Sequence, residues 1–133
     1  MRLILISTGL AVGVLIACTP PIPPSSAASD FSDLCAPCHG KGGRGDGPMA
    51  AELVKKPADL TQLSARNGGT FPLEKVMNKI WGYSRGSAEP SMMPHFAPLM
   101  DSPTVPVDLG DGIETPTPTR LIELADYLRT LQG

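Results

Sequence analysis

Five consecutive residues, Cys35-Ala36-Pro37-Cys38-His39, hold the chemistry that this sequence offers most directly. Two thiols three positions apart lie about one helical turn from each other, and an imidazole follows at once. C-x-x-C-H at that spacing is the signature of covalent c-type haem attachment. Each thiol adds to a vinyl group, and the adjacent imidazole lies under the iron as proximal ligand. Two blander readings compete with it. A thioredoxin-like redox pair sits after a strand in a βαβ pattern, and no strand pattern precedes Cys35. A zinc site needs two further nitrogen or sulfur ligands, and only His95 remains to supply them.

The third cysteine, Cys18, closes an N-terminal segment of a different kind. Arg2 is a minimal positive region, and Leu3 to Ala17 is an apolar run broken only by Ser7, Thr8, Gly9 and Gly13. Its length suits the core of a signal peptide and falls short of the roughly 20 apolar residues of a spanning helix. Leu15-Ile16-Ala17-Cys18 resembles the bacterial lipobox, which implies a signal peptide over 1–17 and lipid attachment at Cys18. The alternative is ordinary cleavage near Ser26-Ala27-Ala28, giving a soluble periplasmic domain. Lipidation accounts for the odd cysteine count of an exported chain, since Cys35 and Cys38 already belong together. Residues 18–29 read as the anchor cysteine and a Pro/Ser/Ala-rich tether, with the folded domain over 30–133. Polyproline II in the proline half gives that tether a reach of roughly 30 Å.

Two amphipathic segments must position the motif. From Phe71 to Gly82, Leu73, Val76, Met77, Ile80 and Trp81 fall on one helical face, with Pro72 near its start and Gly82 as its stop. A final helix is predicted from about Pro118 to Leu131, with Thr117 as its cap and Leu121, Leu124, Ala125, Leu128 and Leu131 on its buried face. Between them, Val105, Val107 and Leu109 alternate, Gly110-Asp111-Gly112 turns, and Ile113 and Thr115 follow. This predicts a small hairpin near 105–115, which the prolines restrict to an edge role. The expected role is either to cover a haem edge or to form a docking lip for a partner; the sequence alone does not choose between them, and cover is the default.

Composition bounds the rest. The chain has 133 residues, a size for one domain and not two. A net charge of −2 lacks the basic excess of a nucleic-acid binder. With 14 glycines, 15 prolines and 5% aromatics, the domain is short of core and calls for a bound group to complete it. Charge is uneven: residues 41–85 carry net +4 and residues 86–133 net −5. Such a dipole would turn one edge of the molecule toward an acidic partner and raise association rates.

From about Ala27 to Gln132 the sequence resembles the class I cytochromes c. Phe31 stands four positions before Cys35, as an aromatic residue does in that family, and Gly40 to Pro48 looks like its glycine-rich loop. The resemblance implies an all-α cytochrome c fold: three to five short helices around one covalent haem, the helix at 125–128 crossing the N-terminal helix near Phe31. It implies that the Pro48 carbonyl accepts the Nδ1 proton of His39. Met93-Pro94-His95-Phe96 resembles the family's ligand loop, which makes Met93 the second axial ligand, with Met92 and His95 as rivals. Met77 reads as core, and Met49 as the start of a short helix. Trp81, and more weakly Tyr83 and Arg85, are candidates to hydrogen-bond a haem propionate.

Two functions follow. With His39 and Met93 on the iron no position is open to substrate, so the chain is expected to be no enzyme. It is instead a mono-haem electron carrier between periplasmic or membrane-bound donor and acceptor proteins, held on the periplasmic side of a bacterial membrane. The alternative is a haem enzyme or gas sensor with a weak or open sixth position, in which His95 serves as the acid–base group.

Overall fold

A computed structural model describes residues 26–82, 92–110 and 112–133. The segment read as a signal peptide, Cys18, most of the segment read as a tether, Tyr83, Arg85 and Asp111 lie outside them. The described chain is a small, mostly helical domain with one two-stranded antiparallel hairpin beside its last helix. Among the described residues no helix is long and apolar enough to cross a membrane.

The first helical stretch has three parts. α1 spans Ala27–Asp30, a π-helical turn spans Phe31–Cys35, and α2 spans Ala36–His39. Ser26 caps the start by accepting the Ser29 N–H at 3.2 Å, so the helix begins inside the segment read as tether. The wide turn lets the Ala36 N–H reach the Phe31 carbonyl. π turns of this kind cluster at functional sites, and this one ends on Cys35.

α3, Leu73–Trp81, follows the predicted face: Val76, Met77 and Ile80 are buried, and Gly82 ends it at φ 80°. α4 is a single turn, Ala97–Met100, that buries Leu99. β1, Thr104–Asp108, pairs with β2, Glu114–Pro118, in the register Val105↔Thr117, Pro106↔Pro116 and Val107↔Thr115. Neither Pro106 nor Pro116 has an N–H to exchange, so theirs is a non-hydrogen-bonded pair and the ladder bonds fall on the pairs to either side. Asp108 closes the turn by accepting the N–H groups of Gly110 and Gly112 at 2.8 and 3.0 Å.

α5, Thr119–Thr130, starts one residue later than predicted and is not capped by Thr117. Thr117 ends β2, is fully buried, and donates its hydroxyl to the Thr115 carbonyl at 2.8 Å. The β conformation of Pro116–Pro118 aims Thr117 inward, so the free donors of α5 find partners elsewhere. The Arg120 N–H meets Ser102 Oγ at 3.3 Å, and the Thr119 N–H meets the Pro103 carbonyl at 2.9 Å.

The core forms where α1, α3, α4 and α5 meet, around Phe31, Met77, Leu99, Leu121 and Leu124. Phe31 lies 5.2 Å from Tyr127, ring centre to ring centre, tying the first helix to the last. An ion pair between a half-buried arginine and a buried aspartate fixes the same crossing. Asp30, 3% exposed, receives Arg120 Nε at 3.0 Å and Nη2 at 2.5 Å, while Arg120 Nη1 donates to the Pro98 carbonyl at 2.7 Å. The bidentate bond to Asp30 and its charge hold the Arg120 guanidinium above its ordinary range. One side chain thus fastens α1, α4 and α5 together.

Candidate functional site

The motif ends α2, and the four carbonyls there would be unpaired without the loop that follows. The loop returns and satisfies each in turn. Gly40 N–H donates to Ala36 (2.9 Å), Met49 to Pro37 (2.9 Å), Gly47 to Cys38 (3.1 Å) and Gly45 to His39 (2.7 Å). Such close approach explains the glycines. Gly45 has φ 75° and any Cβ there would strike the Pro57 carbonyl; a Cβ on Gly47 would strike the carbonyls of Ala36 and Pro37. The glycines therefore have a local cause: this loop is a backbone cap for the C-x-x-C-H turn.

His39 is oriented by one bond, from Nδ1 to the Ala58 carbonyl at 2.9 Å. A carbonyl only accepts, so Nδ1 carries the proton and Nε2 is left with its lone pair. This corrects the expected acceptor. Pro48 is exposed and lines an open depression with Ala36, Pro37 and Lys41 on the outer side of the motif. The Met49–Pro37 and Gly47–Cys38 bonds hold that part of the loop against α2, and the segment after it delivers Ala58 to the imidazole.

Ala58 is itself held. Arg66 Nη2 donates to the Asp59 carbonyl at 2.5 Å, and the Leu60 N–H donates to the Gly43 carbonyl at 2.6 Å. The Asp59 carboxylate accepts the Thr61 N–H at 2.9 Å and the Thr61 hydroxyl at 2.7 Å. Those bonds, with the charges of Arg66 and Arg44, hold the Asp59 carboxyl below the usual range. Sequence reasoning missed Ala58. Its only signal was indirect, in Asp59-Leu60-Thr61, a spacing that makes an Asx turn and fixes the carbonyl before it.

The two thiols are free of any disulfide and differ in setting. Cys35 is buried in the apolar cluster, and Cys38 is half-buried. Burial pushes the Cys35 thiol up to about 11, and the charge of Asp30 and the neighbouring Cys38 add to the rise. Among the described residues no three His, Cys, Asp or Glu side chains converge as they would around a bare metal ion.

The sulfur candidates separate by burial. Met93 is half-buried and packs on the same cluster that contains Cys35, as does Trp81, whereas Met92 is 51% exposed. Met77 is deep in the core on α3. Met49 precedes a short 3-10 turn, Ala50–Glu52, and is 46% exposed. His95 is exposed and lies against Gly82 at the end of α3. Two thiols on one helical stretch, an imidazole with Nε2 free, and a thioether on a shared apolar cluster form a donor set that fits a haem.

Compared with family models, curated proteins and solved structures, the chain gives no match.

Proposed function

We propose that the chain is a mono-haem c-type cytochrome of the class I fold that carries single electrons between protein partners. The observation that carries this reading is the His39–Ala58 bond on a C-x-x-C-H turn: it fixes the tautomer that leaves Nε2 as donor. Cys35 and Cys38 would hold the haem covalently, and His39 and Met93 would be its axial ligands. The haem supplies the one-electron chemistry. The protein's own part is to orient His39, to keep water from the apolar side through Phe31, Met77 and Trp81, and to present a docking face. Exposed Lys41, Arg44, Lys55 and Lys56 on and beside the loop suit an acidic partner. Cys18 would anchor the domain by a lipid to the periplasmic side of a bacterial membrane, where donors and acceptors meet it at raised effective concentration.

The test is the absorption spectrum of the protein made in a host that attaches haem to C-x-x-C-H sequences. A covalent haem that survives denaturation, with the weak red band of iron–methionine ligation lost in Met93→Ala, is the expected result. A band that survives the change moves the ligand to Met92. A five-coordinate high-spin spectrum in the unaltered protein would replace electron transfer with the enzyme or sensor reading.

A further inference from the structure

Gln132 lies two residues beyond α5 and makes three hydrogen bonds at once. Its Nε2 donates to the Leu60 and Leu128 carbonyls, both at 2.8 Å, and its Oε1 accepts the Ser64 N–H at 2.9 Å. Nothing in the site's chemistry calls for an amide at that distance from the motif. Its partners are informative: Leu128 belongs to α5, while Leu60 and Ser64 bracket the turn that follows Ala58. A single side chain thus joins the rigid last helix to the segment whose carbonyl orients His39.

The connection is short, and every step is a hydrogen bond to a backbone atom. The peptide after Ala58 gives its oxygen to His39 Nδ1 at 2.9 Å. The next peptide is held at both ends, its oxygen by Arg66 and its N–H by Gly43. The one after that gives its oxygen to Gln132 and its N–H to the Asp59 carboxylate. With three consecutive peptide planes fixed, the Ala58 carbonyl has little freedom to turn away.

We propose that Gln132 is a positioning residue for His39: through Leu60 and Ser64 it holds the Ala58 carbonyl on Nδ1 and so sets how strongly the imidazole donates. A firm Nδ1–H bond makes Nε2 a better donor, which favours ferric over ferrous iron. Loosening the segment weakens that donation. The geometric part stands on the hydrogen bonds alone, and the redox consequence rests on the haem reading.

Gln132→Ala tests both parts. The first readout is exchange of the His39 ring N–H with solvent, followed by NMR, which needs no haem. The second is the midpoint potential of the haem-loaded protein. Exchange is expected to quicken by about fivefold, the worth of one neutral hydrogen bond, and the potential is expected to move to more positive values. Arg66→Leu, at an exposed position, removes the bond to the Asp59 carbonyl and is expected to act in the same direction; it carries the test if Gln132→Ala does not fold. Should both variants lose thermal stability while ring-proton exchange and potential stay at their original values, Gln132 is only a structural tie and the proposal is overturned. If the protein takes up no haem but exchange still quickens, the positioning role stands and the haem reading alone fails.

Discussion

From Ala36 to Ser64 the chain organises itself mainly through its backbone; from Leu73 to Thr130 it does so mainly through apolar side chains. In the first region each carbonyl at the end of α2 has a named N–H from the following loop, and the neighbouring side chains are mostly exposed or half-buried. In the second, Met77, Leu99, Leu121 and Leu124 disappear from solvent and the helices are held by packing. The contrast assigns different vulnerabilities. Packing spreads its energy over many contacts and serves the whole fold, whereas a hydrogen-bonded cap fixes a few atoms and serves a geometry. A damaged core should unfold everything together; a damaged cap should misplace His39 while the helices persist.

The largest effect that sharpens this contrast is chemical. On the proposed haem reading, replacing Cys35 and Cys38 together by Ser is expected to abolish covalent attachment, read as loss of all colour from the denatured protein, while the helical far-ultraviolet signal of the described domain remains partly in place. Next comes the core. Leu124→Ala, at a fully buried position on α5, should cost about 2–5 kcal/mol in urea unfolding and leave the iron–methionine band unchanged in the folded protein. Arg120→Ala strands the Asp30 carboxylate in the core and should cost about 3 kcal/mol, with Asp30→Asn costing less. If Arg120→Ala altered the spectrum more than the stability, the division between scaffold and site would be misdrawn.

Smaller and more local is Gly47→Ala. Its methyl meets the Ala36 and Pro37 carbonyls, so about 1–3 kcal/mol of overpacking is expected, concentrated at the motif. Hydrogen exchange should then rise at Met49 and at position 47 before it rises anywhere in α5. The smallest effect concerns pH. The Asp59 carboxyl titrates below its unfolded value, so its contribution is present above the ordinary carboxylate range and is lost as pH falls through the depressed value. Acid should therefore lower the protection of the Thr61 N–H, its exchange taken relative to an unstructured peptide at the same pH, and Asp59→Asn should flatten that dependence. A flat profile in the unaltered protein would mean that the Asp59–Thr61 bonds do not hold the segment.

What the sequence disclosed follows the same line. Periodicity reports apolar burial, so α3 and α5 were legible with their faces, and alternation with Gly110-Asp111-Gly112 located the hairpin. Hydrogen bonds between backbone atoms leave no residue-type signature. Ala58 acts through a carbonyl that any residue would carry, and the attribution to Pro48 came from a family likeness, not from a property of Pro48. The cap of α5 was misread for a related reason: Thr117 has the right chemistry for a cap, but β2 turns its hydroxyl back onto Thr115. Gln132 carried no local signal, because its partners Leu60 and Ser64 lie some seventy positions earlier.

The proline pairing in the hairpin has a consequence for the molecule's neighbours. Where two strands oppose prolines in a non-hydrogen-bonded pair, the missing N–H groups are those that would have faced outward. Along β2 the outward positions are Glu114, Pro116 and Pro118, so a single donor remains on that edge; along β1 they are Thr104, Pro106 and Asp108, with a gap in the middle. A strand from another chain could not lay down a continuous ladder on either side. Val105 and Ile113 can therefore stay in water on an open two-stranded ribbon without seeding fibrous assembly.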